Sequence, residues 1–331
     1  MDIHNLENIL EKEPKYRLKQ ANEAVFKSFI SDWSEATFFS KELRDKLNKE
    51  CGLEIKADVL VSEDKDSVKA RIELEDGQEI ESVLMRHSDG RNTVCVSSQV
   101  GCPLGCLFCA TGKMGFKRNL TTDEIIGQVL FFERYLKKEK QRVTNVTFMG
   151  MGEPFLNYDN VMKAIRILND NEGFNIGARS ISISTAGIIE GIEKLAEEGL
   201  QINLAISLHA PNDRLRSSLM PINKRYPMKN VLSTVDSYIK NTKRKVMFEY
   251  VLIKGINDSD QCAKELAKLM RKKLYFVNLI LYNATGVFKP SDTKRVEGFK
   301  AVLKKAKIHF SQRYRFGDDI KAACGQFATN N

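Results

Sequence analysis

Three of the seven cysteines lie close together in the sequence, at Cys102, Cys106 and Cys109, with three and then two residues between them. The loop that carries them, 96–112, contains glycines and follows a short apolar run that is typical of a strand. Three thiolates on one loop can each bind one iron of a [4Fe–4S] cluster, which normally takes four cysteine ligands. The fourth iron would keep an open coordination position, as catalytic metal centres do. The spacing therefore favours a reactive cofactor.

The cysteine spacing is also compatible with a structural zinc ion. Zinc could use the three cysteines with a distant fourth Cys or His, although zinc sites usually combine two short-spaced pairs. A two-cluster ferredoxin would need a second short-spaced set of cysteines. A disulfide framework is not expected, because seven cysteines cannot all pair and a cytoplasmic chain keeps its thiols reduced. Cys51 and Cys262 are interpreted as small buried hydrophobic residues.

Further polar residues follow apolar runs later in the chain. Gly152 lets the backbone approach a ligand closely, and Glu153 next to it can accept hydrogen bonds from an ammonium group. Each residue alone has an ordinary structural role, since Gly-x-Gly-Glu often forms a turn, Ser and Asn often cap helices, and a histidine can belong to a core. Their common position after strands favours one binding site. Neutral side chains that could bind ribose hydroxyls and an adenine edge are Ser184, Ser207, His209 and Asn283.

These residues depend on the strands that precede them. From residue 91 onward, six short apolar runs alternate with amphipathic helices, which predicts parallel strands joined by right-handed crossovers. Such α/β folds carry their functional loops at the C-terminal ends of the strands. We expect an incomplete (β/α)6 barrel with a lateral opening. The predicted strands and helices are, in order, 94–96, 122–138, 143–148, 158–169, 181–184, 188–198, 202–207, 228–240, 246–253, 259–272, 275–281 and 292–306.

The N-terminal quarter of the chain has a different pattern. Apolar residues first recur at helical spacing, which predicts three short helices. They then alternate with polar residues, and Asp76-Gly77 marks a turn, which predicts a small antiparallel sheet. We expect a helical accessory domain over 1–52, a β linker over 53–90, and the partial barrel with a C-terminal tail over 91–331.

Charge is distributed unevenly along the chain. Residues 1–90 carry 14 Lys and Arg against 21 Asp and Glu, a net charge of −7. Residues 91–331 carry 38 against 22, a net charge of +16. A surplus of this size favours a polyanionic partner such as RNA, although a solvated basic surface explains the charge alone equally well.

The composition is that of a globular protein, with 42% hydrophobic and 29% charged residues. No run approaches the roughly 20 apolar residues that a membrane span needs. The first ten residues are acidic and polar instead of forming a basic, apolar signal. We expect a cytoplasmic protein with no membrane partner.

The cysteine motif and the alternating elements together resemble the radical S-adenosylmethionine (SAM) superfamily. Within it, the chain is similar to the RlmN/Cfr family of RNA methyltransferases, and most similar to the RlmN branch, which methylates adenine C2 in 23S rRNA and tRNA. The similarity covers essentially all of 91–327, with a looser match at 16–20. Besides the cysteine motif, the matching segments are 148–154, 183–187, 206–211, 281–283 and 317–326.

The resemblance implies a set of cofactors and ligands. Cys102, Cys106 and Cys109 would bind one [4Fe–4S] cluster per chain, and two SAM molecules would be used per turnover. In this superfamily the open iron binds the amino and carboxylate groups of SAM, and one-electron reduction releases a 5′-deoxyadenosyl radical. A cellular one-electron reductant and a thiol reductant are implied as well. The implied SAM-binding residues are Gly152, Glu153, Ser184, Ser207, Leu208, His209 and Asn283.

The resemblance also assigns roles to two further cysteines and a carboxylate. Cys324 takes a methyl group from SAM and becomes S-methylcysteine, and the radical then removes hydrogen from that methyl group, whose carbon adds to the base. Cys95 releases the product by attacking the Cys324 sulfur, which leaves a disulfide to be reduced. The segment Ile80-Glu81-Ser82-Val83 matches the family element with the proton-accepting glutamate. Glu81 is therefore the candidate base, and Glu79 is an adjacent alternative.

The chain departs from the family pattern in two places. The stretch around Asn283 lacks the usual prolines, and the tail segment Tyr314-Arg315-Phe316 is less basic than in the family. The proline after Glu153 favours the C2 branch over the sister adenine C8-methyltransferases of antibiotic resistance. An alternative of another class is a non-catalytic, zinc-stabilised RNA-binding protein, which gives no reason for Cys95 or Cys324.

Overall fold

The computed structural model describes residues 5–328. Its strands are β1 (Ala57–Val61), β2 (Ser67–Glu73), β3 (Glu79–Arg86), β4 (Asn92–Cys95), β5 (Gln99–Gly101), β6 (Phe116–Asn119), β7 (Asn145–Phe148), β8 (Ile181–Thr185), β9 (Asn203–Ser207), β10 (Val246–Leu252), β11 (Tyr275–Leu281) and β12 (Phe310–Gln312). Ten of these join one mixed sheet, in the order β1-β2-β3-β4-β7-β8-β9-β10-β11-β12. The other two, β5 and β6, form a small separate sheet beside the cysteine loop.

Helices form the N-terminal region and connect the strands of the sheet. In residues 5–328 they are α1 (Leu6–Ile9), α2 (Tyr16–Phe26), α3 (Lys41–Glu50), α4 (Ala110–Lys113), α5 (Thr122–Lys137), α6 (Tyr158–Asn169), α7 (Ile189–Glu197), α8 (Asp213–Leu219), α9 (Met228–Thr242), α10 (Asp260–Leu269) and α11 (Thr293–Lys305). None of the helices in this part of the chain is long and apolar enough to cross a lipid bilayer.

The parallel part of the sheet forms the partial barrel. β4 pairs with β7, and parallel pairing continues strand by strand from β7 to β12. The α/β fold class and the six predicted strand and helix pairs are confirmed, with bounds close to those expected. The sequence pattern does not predict β12, because this strand has only three residues and is mostly exposed. Nor does it predict α8, a seven-residue helix within the long connection between β9 and β10.

The N-terminal strands extend the barrel sheet at its first edge. β1, β2 and β3 pair antiparallel, as predicted, and β3 also pairs antiparallel with β4, where Val83 lies opposite Cys95. Side chains two positions apart on a strand share a face, so Glu81 lies on the same face as Val83 and Cys95. The strands of 53–90 are thus continuous with the barrel sheet, and the domain boundary at residue 90 remains a prediction.

Helix α5 shows why a barrel helix forms where the pattern predicts it. The Thr121 hydroxyl accepts a hydrogen bond from the Glu124 amide at 3.2 Å, and the Glu124 carboxylate accepts one from the Thr121 amide at 2.8 Å. This reciprocal capping satisfies two backbone donors at the start of the helix. Ile125, Val129 and Phe132 recur at helical spacing and form its buried face.

The N-terminal helices pack against the barrel through aromatic side chains. Trp33 is fully buried, and its Nε1 donates to the Cys51 carbonyl at 2.7 Å. Phe26 contacts Phe174, which follows α6, with ring centroids 5.2 Å apart. Arg134 of α5 donates to two backbone carbonyls of the N-terminal region. The contacts of Phe26 and Arg134 attach the N-terminal region to the segment after α6 and to α5.

Candidate active site

Backbone contacts fold the cysteine loop into a compact segment between β5 and α4. The Cys102 amide donates to the Gly115 carbonyl at 2.9 Å. At Gly101 φ is 72°, and a Cβ atom there would lie 1.8 Å from the Gly115 oxygen, so only glycine permits this approach. The Cys109 amide donates to the Cys106 carbonyl at 3.1 Å. The loop therefore holds its three thiols on one short, folded stretch of backbone.

The chemistry of the three thiols fits a [4Fe–4S] cluster. Burial raises the pKa of Cys102 to about 12 and also raises the pKa of Cys106, and the neighbouring Cys109 charge adds to both effects. Bound iron would offset the free-energy cost of ionising these buried thiols, because thiolates are preferred ligands of iron–sulfur clusters. In residues 5–328, no three His, Cys, Asp or Glu side chains are arranged to hold a single metal ion. A cluster does not require that convergence, since each thiolate binds a different iron.

A buried arginine lies close to the cysteine loop and was not predicted from the sequence. Arg216 of α8 is fully buried and donates to the carbonyls of Ala186 at 2.5 Å and Ser207 at 3.1 Å, and to Asn223 Oδ1 at 2.7 Å. Burial lowers the pKa of Arg216 to about 10, while the nearby Cys106 thiolate acts to raise it. Arg216 therefore ties the ends of β8 and β9 together beside the cysteine loop.

The Gly152-Glu153 segment passes close to β5. Gly152 has φ of 99°, and a Cβ atom there would lie 2.6 Å from the side chain of Gln99. The buried Glu153 carboxylate accepts hydrogen bonds from the amides of Ala186 at 2.7 Å and Phe155 at 3.1 Å. Burial raises the pKa of Glu153 to about 7, against the lowering effect of hydrogen bonds such as these. Its oxygens keep further lone pairs, so the group can also accept a hydrogen bond from an ammonium group.

Two of the predicted binding residues meet at the ends of neighbouring strands. The hydroxyls of Ser184 on β8 and Ser207 on β9 lie 3.3 Å apart and are half-buried. Leu208 follows Ser207 and is fully buried, and its amide donates to the Glu249 carbonyl at 3.1 Å. Leu208 has no polar side-chain atom, so any hydrogen bond to a ligand would come from its backbone.

His209 is held as a neutral side chain between β10 and the cysteine loop. Its Nδ1 accepts a hydrogen bond from the Val251 amide at 3.1 Å, so the proton of the neutral ring lies on Nε2. Burial lowers the pKa of His209 to about 3, and the charge of Arg216 adds to this effect. The His209 ring contacts Phe108 edge to face, with centroids 4.8 Å apart. His209 therefore connects the end of β9 to the cysteine loop.

Asn283 carries a buried acceptor that points to a ligand. Its Nδ2 donates to the Cys324 carbonyl at 3.0 Å. Its Oδ1 is buried and has no hydrogen-bond partner within the described residues. A buried acceptor without a partner costs about 1–3 kcal/mol, so a donor such as an adenine amino group would stabilise this side chain. The orphaned oxygen thus fits the expected SAM site.

Cys95 and Cys324 line the same cavity, together with Met149, Asn283 and Arg313. Cys95 is buried on β4, whereas Cys324 is half-buried in the C-terminal tail. Burial raises the pKa of Cys95 to about 12, the Cys324 charge adds to this, and Arg313 opposes it. Both cysteines are free thiols. The disulfide that the family resemblance implies between them therefore stays a prediction about another state of the enzyme.

The tail that carries Cys324 is docked on the cysteine loop. The Ala110 amide donates to the Gly325 carbonyl at 2.7 Å, and the Thr111 hydroxyl donates to the Phe327 carbonyl at 2.7 Å. Both donors follow directly after Cys109. The cysteine loop and the tail are therefore parts of one site.

Glu81 reaches the same tail from β3. One of its carboxylate oxygens lies 2.6 Å from Lys69 Nζ, and the other accepts a hydrogen bond from the Ala328 amide at 2.9 Å. Burial raises the pKa of Glu81, and Lys69 opposes that shift. Glu79 is half-buried and instead lies 3.7 Å from Arg71. Of the two candidate bases, Glu81 is the one that contacts the tail.

Three charged residues around the site, Arg216, Arg313 and Glu249, were not predicted from the sequence. None belongs to a short motif, and Arg and Glu at isolated positions are most often surface residues. The one signal was position: Arg313 directly precedes the tail segment 314–316, and Arg216 follows the 206–211 segment closely. Their roles become visible only when burial and neighbours are known.

Comparisons with known proteins agree with this geometry. The Radical SAM superfamily matches residues 96–267. A "Probable dual-specificity RNA methyltransferase RlmN" from Dictyoglomus turgidum is 47% identical over 329 residues, covering 98% of this chain and 94% of the relative. The "Ribosomal RNA large subunit methyltransferase N" of Nitrosopumilus maritimus is 43% identical, covering 96% and 93%. A crystal structure of a radical SAM methyltransferase from Sphaerobacter thermophilus matches with a TM-score of 0.95 and 42% identity, covering 100% and 98%.

Proposed function

Since this chain belongs to the RlmN family of radical SAM RNA methyltransferases, we propose that it methylates C2 of a specific adenosine in 23S rRNA and in tRNA. The observation that carries this proposal is the cavity lined by both Cys95 and Cys324. A route that begins with an S-methyl group and ends with a disulfide needs two thiols within reach of each other. The cavity supplies that pair next to the cysteine loop.

The cofactors would be held by residues already in place. Cys102, Cys106 and Cys109 would each bind one iron of a single [4Fe–4S] cluster per chain. With SAM bound, such a cluster would supply the 5′-deoxyadenosyl radical after one-electron reduction. The Glu153 carboxylate would accept a hydrogen bond from the SAM ammonium group, and the orphaned Asn283 Oδ1 would accept one from an adenine amino group. The other proposed SAM contacts are Gly152, Ser184, Ser207, Leu208 and His209.

Cys324 is proposed to carry the methyl group. Its thiolate attacks the methyl carbon of a first SAM molecule and becomes S-methylcysteine. When a second SAM is consumed, this methyl group would give a hydrogen atom to the 5′-deoxyadenosyl radical, which leaves as 5′-deoxyadenosine, and the resulting carbon radical would add to C2 of the adenine. The base is then covalently attached to Cys324, and two SAM molecules have been used per turnover.

Glu81 and Cys95 are proposed to release the product. Glu81 lies beside the tail and would take the proton from C2 of the attached base. Cys95 would attack the Cys324 sulfur, which forms a disulfide and breaks the bond between that sulfur and the methylene carbon. The released carbon would take up a proton, and the unpaired electron left on the base would return to the cluster, which frees the methylated RNA. A thiol reductant must then restore both thiols, and a one-electron reductant must supply the cluster. Both are expected in the cytoplasm, where we propose the enzyme acts.

The proposal is tested on RNA from cells with and without this protein. The 23S rRNA and tRNA are separated, digested to nucleosides and compared by mass spectrometry with synthetic 2-methyladenosine and 8-methyladenosine. We expect 2-methyladenosine in both RNA classes only when the protein is present, and none with the matched Cys324→Ala variant. 8-Methyladenosine would assign the chain to the C8 activity instead. Unchanged nucleosides in both RNA classes would contradict the proposed function.

A further inference from the structure

The cavity between Cys95 and Cys324 contains a cation without an assigned role. Arg313 follows β12, and its backbone amide donates to the Leu279 carbonyl of β11 at 2.8 Å. This contact fixes the point at which the side chain leaves the sheet. Its Nη1 lies 2.8 Å from Met149 Sδ, and the residue lines the cavity with both cysteines. The guanidinium is therefore held near two thiols.

Glu249 of β10 is a buried anion whose charge acts on this arginine. Its Oε1 accepts a hydrogen bond from Asn278 Nδ2 at 3.0 Å. Its Oε2 is buried and has no hydrogen-bond partner among residues 5–328. Burial raises the pKa of Glu249, and the charge of Arg313 is the main opposing effect. The Glu249 carboxylate therefore relies on Arg313 for electrostatic stabilisation.

Other titratable groups near the cavity contribute less charge to it. Burial and nearby charges, that of Arg313 among them, lower the pKa of His87, so this ring is neutral at pH 7 and above. Arg315 also lines the cavity but pairs with Asp318 at 3.1 Å. Of the cations that line the cavity, Arg313 is therefore the one that acts on the two cysteines.

We propose that Arg313 stabilises the thiolate of Cys324 for methyl transfer. This inference rests on the proposed function and concerns its first step. In that step the thiol proton passes to solvent and a lone pair of the thiolate forms the new bond to the methyl carbon. The bond between that carbon and the sulfonium of SAM breaks, and S-adenosylhomocysteine leaves. Only the thiolate is a good nucleophile, so a nearby cation increases the reactive fraction of Cys324.

The charges around the cavity have the sign that this role requires. The pKa of Arg313 is raised, above all by the Cys324 charge and further by Glu249 and Cys95, although burial opposes the shift. At Cys95, burial outweighs the cation and the thiol stays protonated. Cys324 is less buried than Cys95. Of the two thiols that share the cation, Cys324 is the one more accessible to a reactant.

The test measures the reactivity of Cys324 in the full-length, cluster-containing protein. Alkylation by iodoacetamide is followed by mass spectrometry of the peptide with Cys324, counting only chains not already methylated there. At about pH 7.5 we expect Arg313→Met to slow alkylation several-fold, because the variant lacks the cation beside the thiol. Near pH 10 its rate should converge with that of the wild type. Arg313→Lys keeps the charge and should retain most of the rate, and alkylation of Cys262 is the internal control.

The variant Glu249→Gln distinguishes the loss of the Arg313 charge from a general loosening of the cavity. It removes the competing anion, so Cys324 should be alkylated at the wild-type rate or faster. An unchanged rate in Arg313→Met, equal slowing in Arg313→Met and Glu249→Gln, or a deficit in Arg313→Met that persists near pH 10 would each overturn the proposal. Iodoacetamide requires neither SAM nor RNA, so this result is independent of methyltransferase activity. Failure of the proposed function would appear separately, as unchanged nucleosides in RNA from cells with and without this protein.

Discussion

The two groups of cysteines in the site are built in different ways. Cys102, Cys106 and Cys109 lie on one loop whose shape comes from nearby backbone contacts, such as the approach of Gly101 to Gly115. Cys95 and Cys324 come from the first barrel strand and the C-terminal tail, and only the complete barrel brings them to one cavity. The first group is a local motif, and the second is a product of tertiary structure.

The surroundings of the two groups differ as well. The loop cysteines lie near Glu153 and Arg216, whose side chains bind the backbone at strand ends. The cavity of Cys95 contains Arg313, whose charge acts on the thiols directly. A site that holds metal needs rigid ligands, whereas a thiol that reacts with a methyl group needs a tuned charge. Substituting a cysteine of the first group should therefore affect cluster binding, whereas substituting one of the second should affect the methylation steps.

The largest effect is expected from removing one of the three loop cysteines that are proposed to bind the cluster. Cys106→Ala or Cys109→Ala should abolish cluster binding and all cleavage of SAM to 5′-deoxyadenosine, because two thiolates cannot retain a cluster with one open iron. Iron content and 5′-deoxyadenosine formation are measured on protein purified without oxygen.

Cys262→Ala is the matched control for this prediction, because Cys262 lies on α10 outside both groups and should leave iron content unchanged. Normal 5′-deoxyadenosine formation by Cys106→Ala would refute the ligand assignment. A colourless wild-type protein that contains zinc and no iron would instead support the non-catalytic RNA-binding alternative.

The sequence predicts the barrel better than it predicts the edges of the sheet. The apolar runs and amphipathic helices from residue 91 onward are long enough to show their period, so all six units were found. β12 is too short to show a period. The alternating pattern before residue 90 predicts strands but not their partners, because a strand does not encode which sheet edge it joins. The pairing of β3 with β4 is therefore a finding of the structure.

The same distinction holds for the site. Cys102, Cys106 and Cys109 could be grouped from spacing alone, since neighbours in sequence are neighbours in space. Cys95 and Cys324 were paired only through the family resemblance, because no local pattern connects a strand to a distant tail. Arg216, Arg313 and Glu249 had no motif at all. Their importance follows from burial and from contacts that only the folded chain creates.

The second prediction concerns Cys95 and Cys324, the two cysteines that share the cavity. It distinguishes them by the reaction step at which each acts. Cys324→Ala has no methyl acceptor, so it should neither methylate RNA nor attach to it, although its cluster remains. Cys95→Ala can still methylate Cys324 and add to the base, but it lacks the thiol that releases the product. Protein should then accumulate covalently bound to RNA through Cys324.

Denaturing gels with labelled RNA and mass spectrometry of the nuclease-treated adduct distinguish these outcomes. The double variant Cys95→Ala with Cys324→Ala is the matched control and should form no adduct. Repeated turnover by Cys95→Ala, with free methylated RNA and no adduct, would show that Cys95 is not the releasing thiol.

A smaller effect is expected at Glu81, the proposed proton acceptor beside Cys95 and Cys324. Burial raises the pKa of Glu81, and Lys69 opposes that shift. Without Lys69 the carboxylate stays protonated to higher pH, and a protonated Glu81 cannot accept a proton. Lys69→Met should therefore move the acidic limb of the pH–rate profile for RNA methylation to higher pH and lower the rate below that limb. Lys69→Arg keeps the charge and should leave the limb in place, whereas a Lys69→Met profile that matches the wild type would argue against Glu81 as the base.

The smallest effect tests the contact that joins the two cysteine groups. The Thr111 hydroxyl, two residues after Cys109, donates to the Phe327 carbonyl of the tail at 2.7 Å. Thr111→Val keeps the shape of the side chain and removes this hydrogen bond, which costs about 1 kcal/mol of tail docking. Methylation of Cys324, followed by mass spectrometry, should fall a few-fold while iron content stays unchanged. Thr234→Val is the control, because the Thr234 hydroxyl donates to the Asn230 carbonyl within α9 at 3.1 Å.

The iron content of Thr111→Val shows whether the cysteine loop depends on the docked tail for its structure. The backbone of the cysteine loop is fixed by its own contacts, including the Cys102 amide to Gly115, and these do not involve the Thr111 side chain. The loop should therefore keep its cluster when the tail loosens. If Thr111→Val loses iron in proportion to its loss of Cys324 methylation, the tail stabilises the loop, and the local motif and the long-range pair fold as one unit. Unchanged iron with slower methylation would place the effect of the hydrogen bond on the tail alone.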